Sequence, residues 1–111
     1  EDDDDKQLLE TLFVESLAQA EVNEILVTEA AKNWELERIA LMDRILMKMA
    51  LAEAKSFSSI PLKVTLNEYI ELSKYYSTPK SNGFINGVLD QLFTQLKKDG
   101  TIVKIGRGLI E

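Results

Sequence analysis

Between Trp34 and Ala54 the chain carries apolar residues on almost every face of a potential helix, and this limits what it can fold into more than any other feature. Leu36, Ile39, Met42, Leu46, Met49 and Glu53 follow a rhythm of three and four, and Ala40, Ile45 and Ala50 widen the stripe. Leu41, Met47 and Leu51 add apolar character elsewhere. A helix this apolar all round has to be central and covered on several sides. Its methionines read as adaptable core filler. Arg38, Asp43, Arg44 and Lys48 mark a narrower wet side. Arg44 and Lys48 are like charges four apart, a mild repulsion that an acidic partner would relieve.

Other helices are predicted around this one. Leu8, Leu9, Leu12, Phe13 and Leu17 recur at helical spacing over residues 7–19, with Glu10, Glu15 and Gln19 left for water. Val22, Ile25, Leu26 and Ala30 give a second, shorter helix over 21–31, and Asn33 is a candidate cap for the central helix. Serines at 56, 58 and 59 and the proline at 61 mark a loop. Thr65 followed by Glu68 matches a capping box and predicts a fourth helix from Leu66 to Tyr76, with Leu66, Tyr69, Ile70 and Leu72 as its apolar side and Tyr69 half-exposed. Ser81 or Asn82 caps a fifth, which packs through Phe84, Ile85, Val88, Leu89, Leu92, Phe93 and Leu96 and stops at Asp99-Gly100. Val103 and Ile105 suggest a short extended piece, and Gly106-Arg107-Gly108 a flexible one. The expected fold is all-α: a compact five-helix bundle over residues 7–100, preceded by an acidic tail or linker at 1–6 and followed by a short tail at 101–111. Asp2 to Lys6 also spell an engineered protease-recognition string, but Gln7 leads straight into a helical pattern, which favours a natural acidic linker.

Several function classes are excluded by what is absent. The 111 residues include no cysteine and no histidine, so disulfides, thiol catalysis and the usual neutral-pH base are missing. No apolar run reaches the length of a membrane span. The glycines at 100, 106 and 108 lack the strand-to-helix context of a phosphate loop. Glu68 and Glu71 could face together, but Glu68 already has a capping task and no second acidic pair accompanies them. No catalytic residue, metal ligand or cofactor is expected. The net charge of −6 is unevenly spread: residues 1–37 hold 12 acids and 2 bases, residues 38–111 hold 7 acids and 11 bases. Strong non-specific nucleic-acid binding is disfavoured, while local anion contact by the basic two-thirds stays open. Lys55, Lys63, Lys74, Lys80, Lys97 and Lys98 suit phosphate contact, and Tyr69, Tyr75, Tyr76 and Phe84 could stack on bases. The best local mixture is Lys74, Tyr75 and Lys80, with Ser81 and Asn82 beside it at a helix start. Asn67 and Asn86 stand in predicted first turns, where their amides would lock the preceding loops.

Three stretches carry a resemblance to a known family. The first is Arg38-Ile39-Ala40-Leu41-Met42-Asp43-Arg44-Ile45-Leu46, closing with Ala50-Leu51-Ala52-Glu53. The second runs from Ile60-Pro61 through Leu66-Asn67-Glu68 to Glu71-Leu72-Ser73-Lys74, and the third is Ser81 with Phe84-Ile85-Asn86-Gly87-Val88-Leu89-Asp90. In order and spacing they resemble the carboxy-terminal half of NusB, a bacterial RNA-binding transcription antitermination family, over about residues 34–96. The stretch Tyr75 to Lys80 and the tail from Gly106 to Ile110 look most like NusB-like proteins of the Bacteroidetes group. The resemblance implies a non-enzymatic, cofactor-free, cytoplasmic helical protein. It would bind boxA-type RNA together with the ribosomal protein that acts as NusE, and reach RNA polymerase and other Nus factors indirectly, with no membrane partner. On this reading Lys74, Tyr75, Lys80, Ser81 and Asn82 are candidate RNA or partner contacts. Thr65, Asn67, Glu68, Phe84, Asn86 and Gly87 are scaffold residues at helix starts. Lys80 departs from the family pattern, since that turn position is often acidic. Family members begin with a helical subdomain containing an arginine-rich RNA-binding stretch, and this chain has no arginine before Arg38. The implied correspondence is therefore to a carboxy-terminal fragment that lacks much of the RNA surface. Two other readings stand beside it: a protein-interaction helical module that ignores RNA, and a NusB-like domain attached to an RNA methyltransferase.

Overall fold

The computed structural model describes residues 2–32, 41–76 and 79–109, and among these it has five α-helices and no strand. They are α1 (Asp2–Ala18), α2 (Ala20–Lys32), α3 (Leu41–Ser56), α4 (Leu62–Tyr76) and α5 (Pro79–Lys98), followed by a 3₁₀ turn over Gly106–Leu109. The cap expected at Asn33, the first turns expected from Trp34, and Arg38 lie outside the described residues.

α3 is the axle of the bundle. It packs against α1, α2, α4 and α5, as an all-round apolar helix must. Leu46, Met47, Ala50, Leu51, Ala52 and Ala54 are buried. Asp43, expected on the wet side, is buried as well. The like-charged pair Arg44 and Lys48 meets the acidic partner its spacing calls for. Glu24 of α2 accepts from Arg44 through one carboxylate oxygen and from Lys48 Nζ through the other, at 3.1 Å. Slight burial raises the Glu24 pKa, but the two cations outweigh it and hold the carboxyl below its usual range.

α1 and α2 form nearly one rod. The Gln19 amide donates to the Glu15 carbonyl and the Asn23 amide to the Gln19 carbonyl, so helical hydrogen bonding carries across the junction. Asn23 is fully buried where α2 crosses α3. Its side-chain amide donates to the Lys48 carbonyl at 3.4 Å, and its oxygen accepts from Lys55. Burial lowers the Lys55 pKa, and its ammonium is held inside the fold by Asn23.

α4 and α5 both start earlier than their sequence signals suggest. Pro61 sets up α4: its carbonyl accepts from Val64 N at 3.0 Å and Thr65 N at 3.2 Å. Pro79 is the first residue of α5, where a missing N–H costs nothing. Thr65 therefore lies inside α4 and does not cap it, and Ser81 and Asn82 lie inside the first turn of α5. The buried face of α5 is Phe84, Ile85, Val88, Leu89, Leu92, Phe93 and Leu96, the face its periodicity predicts. Gly100, at φ 87°, ends the helix in the left-handed conformation that glycine adopts without strain.

The described residues after Gly100 form no strand, but they are tied to the bundle. Ile105 N donates to the Ser58 carbonyl at 3.0 Å, and Ile102 is buried. Lys104, also buried, donates Nζ to the carbonyls of Ala54 at 3.0 Å and Phe57 at 2.8 Å. Its charge thus sits at the negative end of α3, where it is stabilised. Gly108 lies against the Ser58 carbonyl so closely that any side chain there would collide with it.

Candidate functional site

α4 and α5 are antiparallel neighbours, and the end of α4 and the start of α5 carry five of the predicted contact residues at one end of the bundle. Lys74 and Tyr75 close α4, while Lys80, Ser81 and Asn82 open α5. Tyr75 is 82% exposed, a ring free to be covered by a partner. Lys80 is exposed, and Lys74 pairs with Glu71 at 2.7 Å on open surface, where such a pair holds its lysine only weakly. Ser81 and Asn82 are half-buried. Asn82 joins the two helices: Ser73 Oγ, itself buried, lies 2.7 Å from both Asn82 Oδ1 and the Ile70 carbonyl oxygen. Ser73 was not among the sequence candidates. A lone serine at a helix position otherwise suited to an apolar residue was the only signal available.

The predicted scaffold residues separate into three environments. Thr65 is completely buried and donates to Glu53 Oε2 of α3 at 2.7 Å. Tyr69, expected half-exposed, is 3% exposed because its hydroxyl reaches towards Glu53 Oε1, at 3.4 Å. Glu68 borders the same group. Partial burial first, then hydrogen bonding with and repulsion from the Glu53 carboxylate, push its pKa up to about 7. Burial and the two glutamates also raise the Tyr69 pKa. The α3–α4 contact thus holds one buried carboxyl, Glu53, met by two hydroxyls, and the more exposed Glu68 borders it instead of serving a capping box. A buried carboxylate without a cation is costly unless a proton is shared.

Asn67 lies on the outer face of α4, beside a shallow groove lined by Val64, Glu68, Glu71, Leu72 and Tyr75. Asn67 and Asn86 are both exposed. Because both helices start early, these amides lie past the first turn, where backbone N–H groups already have helical partners, so neither locks a loop. Phe84 is buried in the core and unavailable for stacking, and Gly87 is half-buried along α5. Among the described residues, no three His, Cys, Asp or Glu side chains converge as a metal site would need. No described helix is long and apolar enough to cross a membrane.

At the opposite end of the same helix pair, Lys63, Lys97 and Lys98 surround a groove of about 460 Å³ floored by Leu62, Leu66 and Phe93. Asp90 and Thr94 complete its wall.

Comparison with known proteins places this architecture. A protein named Transcription antitermination protein NusB from Salinibacter ruber is 43% identical over 110 residues, covering 99% of this chain and 69% of that protein. The one from Chloroherpeton thalassium is 45% identical over 85 residues, covering 77% and 40%, and that from Natranaerobius thermophilus 34% over 92 residues, covering 83% and 66%. The chain thus spans from 40% to 69% of the length of these relatives. Among solved structures, NusB of T. maritima superposes with a TM-score of 0.63 at 31% identity, over 69% of this chain and 54% of that one. The NusB family model matches residues 1–94, and on this ground the chain belongs to the NusB family.

Proposed function

We propose that this chain acts in transcription antitermination, as a protein contact with an auxiliary RNA contact, in a complex with boxA-type RNA and the ribosomal protein acting as NusE. Other Nus factors and RNA polymerase are reached indirectly, in the cytoplasm, and no step of catalysis is involved. The observation that carries the reading is family membership across most of the chain. Further support comes from the α4–α5 turn, where two exposed lysines and an exposed tyrosine stand within a few residues of each other. Lysines contribute a salt-dependent attraction to phosphates, and an exposed ring offers a stacking platform. The outer groove of α4, with Glu68 and Glu71 beside Val64, Leu72 and Tyr75, suits a basic protein surface. Lys74, Tyr75, Lys80, Ser81 and Asn82 are therefore the proposed RNA or partner contacts.

The test is binding of a boxA RNA to this chain, alone and with purified NusE, at low and high salt. Sequence-specific binding that appears only with NusE supports the reading. NusE binding with no RNA effect reduces it to a protein-contact role, and the absence of both removes it. Lys80→Glu should weaken the RNA complex and reduce the salt slope by about one counterion, with helicity retained. Equal affinity at matched salt would take Lys80 out of the interface.

A further inference from the structure

We propose that Glu68 is a proton switch in the outer groove of α4. It holds a proton in the free chain and gives it up when a partner's lysine or arginine docks beside it, on the reading above that this groove receives a basic protein surface. Glu68 sits between two faces of α4. Thr65, Tyr69 and Ser73, four apart, form the buried row of the helix. Val64, Glu68, Leu72 and Tyr75 run alongside it and line, with Asn67 and Glu71, a groove of about 620 Å³. Val64, Leu72 and Tyr75 are exposed, whereas Glu68 is half-buried and hydrogen-bonded to Glu53 of α3.

The hydroxyls around Glu53 decide which of the two carboxyls is the acid. Thr65 Oγ1 donates to Glu53 Oε2 at 2.7 Å, and the Tyr69 hydroxyl reaches Oε1 at 3.4 Å. A carboxyl met by a donor at each oxygen is the anion, so the hydrogen bond between the carboxyls runs from a protonated Glu68 to Glu53. The titratable groups facing Glu68 are Glu53 across the helix contact and Tyr69 on its own helix. Among the described residues no lysine or arginine of any element pairs with Glu53 or Glu68. Glu71 keeps its charge on the same groove, in a surface pair with Lys74. A cation seated between Glu71 and Glu68 supplies what Glu68 lacks and favours its ionised form. The proton then passes to solvent, and docking strengthens as pH rises.

Isothermal titration calorimetry of purified NusE into the whole chain and into Glu68→Gln, in buffers of different ionisation enthalpy, counts the protons released. Glutamine keeps a hydrogen bond to Glu53 but has no proton to lose, and protons lost by NusE itself are common to both titrations. The unaltered chain should release about half a proton more than the variant at about pH 7. The ratio of its affinity to the variant's should grow about fivefold to tenfold between about pH 6 and about pH 8. Carbon-13 titration of the glutamate carboxyls checks the free chain: one signal, missing in Glu68→Gln, should titrate at about 7. NusE binding with equal proton release by chain and variant, or no glutamate titrating above about pH 6, would overturn the switch and leave the groove reading standing. No NusE binding by either protein removes that reading and the switch with it.

Discussion

α5 and α1 both carry apolar residues at helical spacing, sharply segregated to one side on α5 and much less so on α1, and these residues have opposite fates. On α5 all seven residues of the apolar face are buried; on α1 Leu9, Phe13 and Leu17 stand in solvent. Periodicity records which side of a helix is apolar. Whether that side is covered depends on neighbours from elsewhere in the chain or beyond it. α5 has α2, α3 and α4 around it, while α1 has α3 on one flank and its own continuation, α2.

The largest expected effect sets these two helices against each other. Leu89→Ala, at a site with no exposure, should cost about 3 kcal/mol in denaturant unfolding, whereas Leu9→Ala should change stability by no more than about 0.5 kcal/mol. A large loss at Leu9 would mean that its row is covered in solution, and the contrast between the two helices would fall. Next comes the polar contact that α1 lacks and α4 has. Thr65→Val removes a hydroxyl from the buried Glu53 carboxylate and should cost about 2 kcal/mol by the same measurement.

A smaller effect comes from pH. The Glu68 pKa is raised in the fold, so its contribution to stability is fully present below its ordinary value near 4.5 and is lost as pH rises through about 7. Thermal unfolding should show a loss of about 1 kcal/mol between about pH 5 and about pH 8, a figure discounted for the solvent that reaches this side chain. Glu68→Gln should flatten that slope, and an unchanged slope would assign the pH dependence to other groups. Smallest of all, Lys74→Ala should alter stability by less than about 0.5 kcal/mol, since its ion pair with Glu71 is fully on the surface. Any defect it shows would then appear in RNA or NusE binding.

What could be read from the sequence follows the same division. The central position of α3 and the entire packing face of α5 follow from apolar spacing, because other helices cover the apolar face of α5 and, beyond Leu41, most of that of α3. The need for an acid near Arg44 and Lys48 was legible too, though not that Glu24 would supply it. On α4 the reading failed where polar residues occupy core positions. Thr65, Ser73 and Tyr69 are buried because Glu53 and Asn82, on other helices, bond to their hydroxyls or lie close to them, and no local pattern encodes that. The capping box at Thr65 and Glu68 was a real motif overruled by Pro61, whose fixed φ starts the helix a turn earlier. The candidate contact site was located better than its parts were assigned. Lys74, Tyr75 and Lys80 lie exposed at one turn, whereas Asn82 also ties the two helices together.

Lys104 gives the fold an order in time. The carbonyls it closes, at Ala54 and Phe57, are made roughly fifty residues before it. During synthesis α3, α4 and α5 are all available to pack before the end of α3 has its final partners. Until then the Phe57 carbonyl has only the local Ile60 N–H and the Ala54 carbonyl lacks the lysine, and the nascent bundle is open at that end. A segment that emerges after α5 is thus the clasp on α3, the helix that all the others pack against.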